Sequence, residues 1–193
     1  MPFTMATPNL LTDPGALFSA PAGSALPANT VVGSKFTDSW VSPWVPFGAT
    51  EDGSDFTYDI KTEMVTVAEF FDPIKWATTE RSGNFAFTVT DWTLTKVQIV
   101  MNGGTLVIVS GTGTTQLNQY SPPAAGAEVR RMIGWESLDN TVRIICYQTI
   151  NSGSIKSSFK KAPAKAGLAC QFQFEVPPSG NPFSFFTAGT GRA

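Results

Sequence analysis

Histidine is absent from this 193-residue chain. That removes Ser-His-Asp and Cys-His nucleophile systems, the usual imidazole general base and most catalytic zinc sites. Cysteine is nearly as scarce, with only Cys146 and Cys170, each inside an apolar, strand-like run. Two thiols so placed make no disulfide framework and read as buried thiols of a chain folded in a reducing cytoplasm. Charge is also thin, at 15% of residues, where about a quarter is usual. A surface with so little charge reads as interface; the alternative is a small β domain kept soluble by Thr, Ser and Asn. No run approaches the ~20 apolar residues of a membrane helix. The first basic residue is Lys35, so no signal segment is expected either, and the chain reads as neither secreted nor membrane-spanning.

Hydrophobic residues (42%) and aromatics (12%) are plentiful, enough for one ordinary domain with arms. The net charge of −2 conceals an asymmetry: residues 1–100 carry eleven acids and five bases (net −6), and residues 101–193 four acids and eight bases (net +4). Opposite charge in the two halves suits head-to-tail contacts between copies, which build rings and stacks. Equally, the halves can neutralise each other within one domain.

Residues 1–30 carry Pro2, Pro8, Pro14, Pro21 and Pro27 among small residues. Proline fixes φ and removes a donor, so regular structure is not expected there. The segment reads as an extended arm on a neighbour or as a disordered tail, ahead of one β domain over 31–193. From Val31 onward period-2 patterns dominate: Phe56, Tyr58 and Ile60 alternate with Asp55, Thr57 and Asp59. Phe85, Phe87 and Val89 repeat the pattern, as do Cys170, Phe172, Phe174 and Val176. Apolar β-rich runs occupy 106–110, 129–137 and 141–150, and Leu138-Asp139-Asn140 between the last two predicts a hairpin. The stretch 91–102 is open between two readings. As a strand it turns at Asn102-Gly103; as a helix it takes Asp91 as N-cap, Leu94, Val97 and Met101 as its stripe and Gly103 after its end.

Several short motifs follow one another in order. Gly48-Ala49-Thr50-Glu51-Asp52-Gly53 leads to Glu69-Phe70-Phe71-Asp72-Pro73, then Thr79-Glu80-Arg81-Ser82-Gly83 and Phe85-Ala86-Phe87. Asn102-Gly103-Gly104, Trp135-Glu136-Ser137 and Pro182-Phe183 come after. This order, from Gly48 to the C-terminus, resembles the major tail tube proteins of long-tailed (siphovirus-type) bacteriophages. The resemblance implies a mainly β fold, a β-sandwich or partial barrel of antiparallel strands, with one flanking helix over about 91–102. It further implies a non-enzymatic virion protein without cofactor or metal, made in the bacterial host cytoplasm. Copies of it would form stacked hexameric rings, a tube that conducts DNA without sequence-specific binding and meets tape-measure, tail-terminator and tail-tip proteins. A long hairpin over about 59–83 would reach the next ring with Phe70, Phe71, Pro73, Ile74 and Trp76 near its tip. The alternative for these five is closure of the protomer's own core.

The conduit role asks for an acidic wall. Duplex DNA carries one charge per ~1.7 Å, and a basic lining would hold it by counterion release. Asp55, Asp59 and Glu63 are the lumen-facing candidates; the competing reading pairs such acids with the basic stretch of Arg143, Lys156, Lys160, Lys161 and Lys165. The four lysines are candidates for contacts between subunits, or for a solvated loop. Ser110–Thr115 lacks the P-loop lysine and reads as a hairpin turn. Glu51–Asp55 misses EF-hand spacing and reads as an acidic turn. Two readings from other classes remain: another virion component, such as a tail terminator or capsid decoration, and a β-sandwich binding module with Trp40, Trp44 or Trp76 as exposed platforms.

Overall fold

A computed structural model describes residues 15–66, 72–158 and 167–189. In chain order the strands are β1 (Ala16–Pro21), β2 (Val31–Val32), β3 (Lys35–Phe36), β4 (Val45–Pro46), β5 (Thr50–Val65) and β6 (Lys75–Val89). Helix α1 (Leu94–Val100) follows. Then come β7 (Thr105–Ser110), β8 (Leu117–Ser121), β9 (Arg131–Glu136), β10 (Val142–Asn151), β11 (Lys156–Ser158), β12 (Gly167–Phe174) and β13 (Phe183–Thr187). Among the described residues the fold is mainly β with one α-helix; the β character is what the alternation predicts and the helix what the resemblance implies. A single antiparallel sheet runs β4-β1-β9-β10-β12-β6-β5, with β13 on β10 and β11 on β12.

The sheet curls round an inner core. Alternation sends Leu17, Phe85, Phe87, Val89, Ile133, Trp135, Ile144, Cys146, Leu168, Cys170 and Phe172 to one face, where Phe47 and the helix residues Val97, Ile99 and Val100 close over them. Along one edge β10 changes partner, pairing with β13 over Val142–Cys146 and with β12 over Thr149–Asn151; along the other, its ladder with β9 is bulged between Cys146 and Thr149. Such a bulge bends a strand and raises its local twist.

Residues 91–102 resolve as a short helix, with two corrections at its ends. Thr93, not Asp91, is the N-cap: its backbone is extended and its hydroxyl accepts from the Lys96 amide. Asp91 instead takes the Lys96 ammonium in an ion pair. At the other end Asn102, with φ +58°, holds the left-handed position expected of Gly103. The Asn102 amide donates to Ile99 and the Gly103 amide to Gln98, the paired bonds that terminate a Schellman-type helix end. The Asn102 side chain also bonds the backbone of Asn151, and the Asn151 amide group caps the Val100 carbonyl. Tertiary partners thus hold a helix of seven residues that would be marginal alone.

The proline-rich segment departs most from expectation. Residues 1–14 lie outside the described residues, but 16–21 form an internal strand, β1, paired with β9 on one side and β4 on the other. Leu17, Ser19 and Ala20 are buried. Ala-Leu-Phe-Ser-Ala contains no proline, and Pro21 closes the strand where its missing donor costs least. The domain therefore begins well before residue 31.

A second, outer cluster covers the opposite face of β1, β9 and β10. There Ala20, Met132 and Ile145 pack with Trp44, Trp40, Phe18, Tyr147 and Phe186. Trp40 stacks on Phe18 at 4.6 Å between ring centroids and meets Trp44 edge-on. The strap from residue 22 to 49, which carries these tryptophans, is fastened by Arg143, only 1% exposed. The Arg143 Nε donates to Glu136 at 3.0 Å, one terminal nitrogen to the Asn29 side chain and the other to the Asp38 carbonyl. Phe36 and Trp40 lie over the guanidinium plane at 4.5 and 5.5 Å. The Trp40 indole donates to the same Glu136 carboxylate.

Candidate assembly interface

Strands β11, β12, β6 and β5 make a continuous antiparallel four-stranded stretch at one end of the main sheet. Its inner face supplies Phe56, Phe85, Phe87, Cys170, Phe172 and Phe174 to the core. Phe56 alone meets Phe85, Phe174, Phe183 and Phe185 at centroid distances of 5.1 to 6.0 Å. On its other face, register places Asp55 opposite Ala86, Thr57 opposite Asn84 and Asp59 opposite Ser82, with Gln171 and Ala169 continuing the row on β12. This surface is polar or small-residued throughout; Asp55, Thr57 and Asp59 are exposed, Asn84, Ala86, Ala169 and Gln171 half-buried, and neither hydrophobic cluster of the described residues lies on it.

Two of the three lumen candidates, Asp55 and Asp59, therefore share this face. Glu63 is exposed farther along β5, beyond a bulge at Lys61–Thr62. The acidic Glu51–Asp55 segment is not a turn, as expected, but a bulged start of β5 in which Gly53 takes φ +85° and Thr50 and Ser54 pair with Val89 and Phe87. A shallow groove of about 320 Å³ runs between Asp52, Asp55, Ala86, Thr88, Gly153 and Gln171. The competing pairing of these acids with Arg143 does not occur, because Arg143 is sealed under the strap on Glu136. Lys156 lies exposed on β11, paired with Ala169; Lys160, Lys161 and Lys165 lie outside the described residues.

Beyond Tyr58 and Gly83, strands β5 and β6 continue as a projecting two-stranded arm whose residues are almost all exposed. At Gly83 itself the backbone passes so close to Phe174 and Tyr58 that an added Cβ would sit at 2.7 and 2.8 Å from their rings. The arm is braced across its strands by Lys61 and Glu80 at 2.6 Å. Their hydrogen bond, more than simple charge attraction, raises the Lys61 ammonium above its ordinary range. Ile60, Met64, Ile74 and Trp76 are all more than half exposed, Trp76 at 63%. Pro73 is exposed as well. The alternative that Pro73, Ile74 and Trp76 close the protomer's own core is therefore overturned; Phe70 and Phe71 lie outside the described residues.

Both thiols are inert. Burial pushes Cys170 up to about 12 and Cys146 higher still, each being free and buried. Of the three tryptophans considered as exposed platforms, Trp44 is buried and Trp40 is stacked within the outer cluster; Trp76 alone stands free.

Sequence reasoning missed the Arg143 clasp and the edges of β5 and β11, which have no partner strand among the described residues. The clasp's only linear signal is an arginine placed within an apolar run, Val142–Ile145. An edge cannot be read from the strand that bears it. No protein-family model matches the chain, and no curated protein matches it significantly.

Proposed function

We propose that this protein is a structural, self-assembling virion component, the building block of a phage tail tube whose copies form stacked hexameric rings around a path for DNA. The observation that carries the reading is the four-stranded stretch β11-β12-β6-β5: among the described residues the outer edges of β11 and β5 have no partner strand, and one face is lined by short and acidic side chains. β5 offers an edge of sixteen residues bearing Glu51, Asp52, Asp55, Asp59 and Glu63. β11 offers an edge bearing Lys156. Joining β5 of one copy to β11 of the next opposes these charges, and unpaired edges of this kind demand a partner or protection. The four strands alternate in direction, so each such junction is itself antiparallel. Six copies would close a wall of about 24 strands at ~4.8 Å spacing, about 37 Å across at the backbone, and strand tilt widens it. Short residues such as Ala86, Thr88 and Ala169 leave that bore open. Asp55 and Asp59 would repel a passing duplex over the ~8 Å screening distance of physiological salt.

The β5–β6 arm, with Ile60, Met64, Ile74 and Trp76 outside, is the element suited to reach an adjacent ring. Exposed apolar groups in this number mark interaction surfaces. Tape-measure, tail-terminator and tail-tip proteins are the partners this role implies, the virion tail is its location, and no catalytic chemistry belongs to it.

Negative-stain microscopy of concentrated protein tests the proposal. Rings and long tubes are expected. Single rings that never stack would point to a tail terminator or decoration protein, and a stable monomer would overturn self-assembly. Asp55→Lys with Asp59→Lys should leave the fold intact and give assemblies that retain DNA in a salt-dependent way.

A further inference from the structure

Asn102-Gly103 is the one Asn-Gly pair in the chain. In an open chain this dipeptide deamidates faster than other asparagine pairs, because glycine carries no side chain to hinder its amide nitrogen. That nitrogen, deprotonated by hydroxide, attacks the asparagine Cγ; the bond to Nδ2 breaks and ammonia leaves. Water then opens the succinimide at either carbonyl, giving aspartate or isoaspartate. The fold cannot escape the pair by replacing its glycine. Gly103 holds φ +113° and Gly104 φ +96°, a region other residues rarely enter. A Cβ on Gly103 would also lie 3.0 Å from Val129 Cγ2.

Each group the reaction needs is engaged elsewhere. Asn102 is 9% exposed. Its Nδ2 donates to the Asn151 carbonyl at 2.7 Å, and its Oδ1 accepts from the Asn151 amide at 2.8 Å. A carbonyl only accepts and an amide N–H only donates, so these partners fix the orientation of the side chain. Asn151 is held the same way, donating to the Val100 carbonyl and accepting from the Gln171 amide. The nucleophile is turned aside too: the Gly103 N–H points to the Gln98 carbonyl at 2.8 Å. The Gln98 side chain donates to the Gly104 carbonyl and the Tyr120 hydroxyl to the Gly103 carbonyl. Those two bonds tie the root of the two-stranded β7–β8 ribbon to the same network.

We propose that Asn102 is a latent deamidation site, closed by its bonds to Asn151 and reactive only when the end of α1 opens locally. The modification is then one-way. Replacing Nδ2 by oxygen sets a carboxylate against the Asn151 carbonyl, acceptor against acceptor, and isoaspartate adds a backbone carbon as well. A buried polar group without its partner costs free energy, so the network does not re-form. Helix α1, strand β10 and the ribbon root lose their common anchor, and a protomer that has opened here is kept from returning. The inference is independent of how copies assemble.

Mass spectrometry of the peptide spanning Asn102 and Gly103 tests it on the full chain, native and urea-unfolded, in one mildly alkaline buffer. Deamidation should be about a hundredfold or more slower in the native chain, and that slowing should match the hydrogen-exchange protection of the Gly103 amide within about threefold, since both report one opening. A slowing well short of the protection means that Asn102 reacts inside the closed fold, and it overturns the gate. Asn151→Ala should speed native deamidation by about tenfold or more; an unchanged rate in the folded variant removes Asn151 from the gate. The wild-type comparison needs no substitution and decides even where that variant unfolds. Asn102→Asp should speed exchange of the Gly103 and Asn151 amides by about tenfold or more and leave Phe85 unchanged. Unaltered exchange at all three overturns the one-way step.

Discussion

One continuous sheet carries two unlike stretches on the face turned away from the main core. Over β1, β9 and β10 that face shows Phe18, Met132, Ile145 and Tyr147 and is covered by the tryptophan-bearing strap. Over β5, β6 and β12 it shows Asp55, Asp59, Asn84, Ala86, Ala169 and Gln171, and neither hydrophobic cluster of the described residues lies on it. The backbone construction is the same in both. The difference lies in side-chain volume and charge, which tells water where it is to be excluded and where it is to stay. The covered half is committed to holding its own protomer together, and the other half is the one the proposed assembly would use.

Variants in the two halves should differ accordingly. Arg143→Ala on the covered half leaves Glu136 buried without its partner and should cost about 3–5 kcal/mol, read as a lowered denaturant midpoint. Phe172→Ala, which opens the inner core beneath both halves, should cost about 3–5 kcal/mol. Its neighbour on the polar face, Gln171→Ala, should stay within about 0.5 kcal/mol, as surface changes do. Equal losses at 171 and 172 would erase the distinction between the two faces. Gly104→Ala should cost about 1–3 kcal/mol from a forced left-handed backbone and loosen the β7–β8 ribbon, visible as faster amide exchange.

Acid should act on the fastened half first. The Thr30 amide, bonded to the Asp38 carboxylate, holds Asp38 below its ordinary range. The Gln148 side chain and then Arg130 do the same for Glu175. A depressed carboxylate contributes stability that is present above its unfolded pKa and lost as pH falls through the folded one. Stability should therefore drop below the ordinary carboxylate range, about pH 4. Asp38→Asn and Glu175→Gln should flatten that limb. The pH dependence of the denaturant midpoint reads both.

Much of the half-buried sheet was legible in sequence because its residues alternate with period two. Phe85-Phe87-Val89 and Cys170-Phe172 face the core as expected, and Leu138-Asp139-Asn140 turns between β9 and β10. The Ser110–Thr115 turn was legible from its glycines, and it joins β7 to β8. Other features were hidden because they depend on partners distant in the chain. β1 is obscured by the prolines around it and becomes a strand because β9 and β4 flank it. Ile60 alternates with Phe56 and Tyr58 yet lies exposed, because β5 has by then outrun the body that would cover it. Leu106–Val109, an apolar β-rich run, lies exposed because its hairpin β7–β8 stands apart from the main sheet.

Composition and periodicity by themselves determined that no histidine serves this chain, that it is mainly β and which way its regular strands face, since those follow from which side chains exist and how a pleat disposes them. Only the tertiary structure decided which of the described strands lie at an edge, which acids share the polar face, and that Arg143 binds the strap to Glu136. Each of these depends on segments far apart in sequence meeting in space, and no local pattern records which will meet.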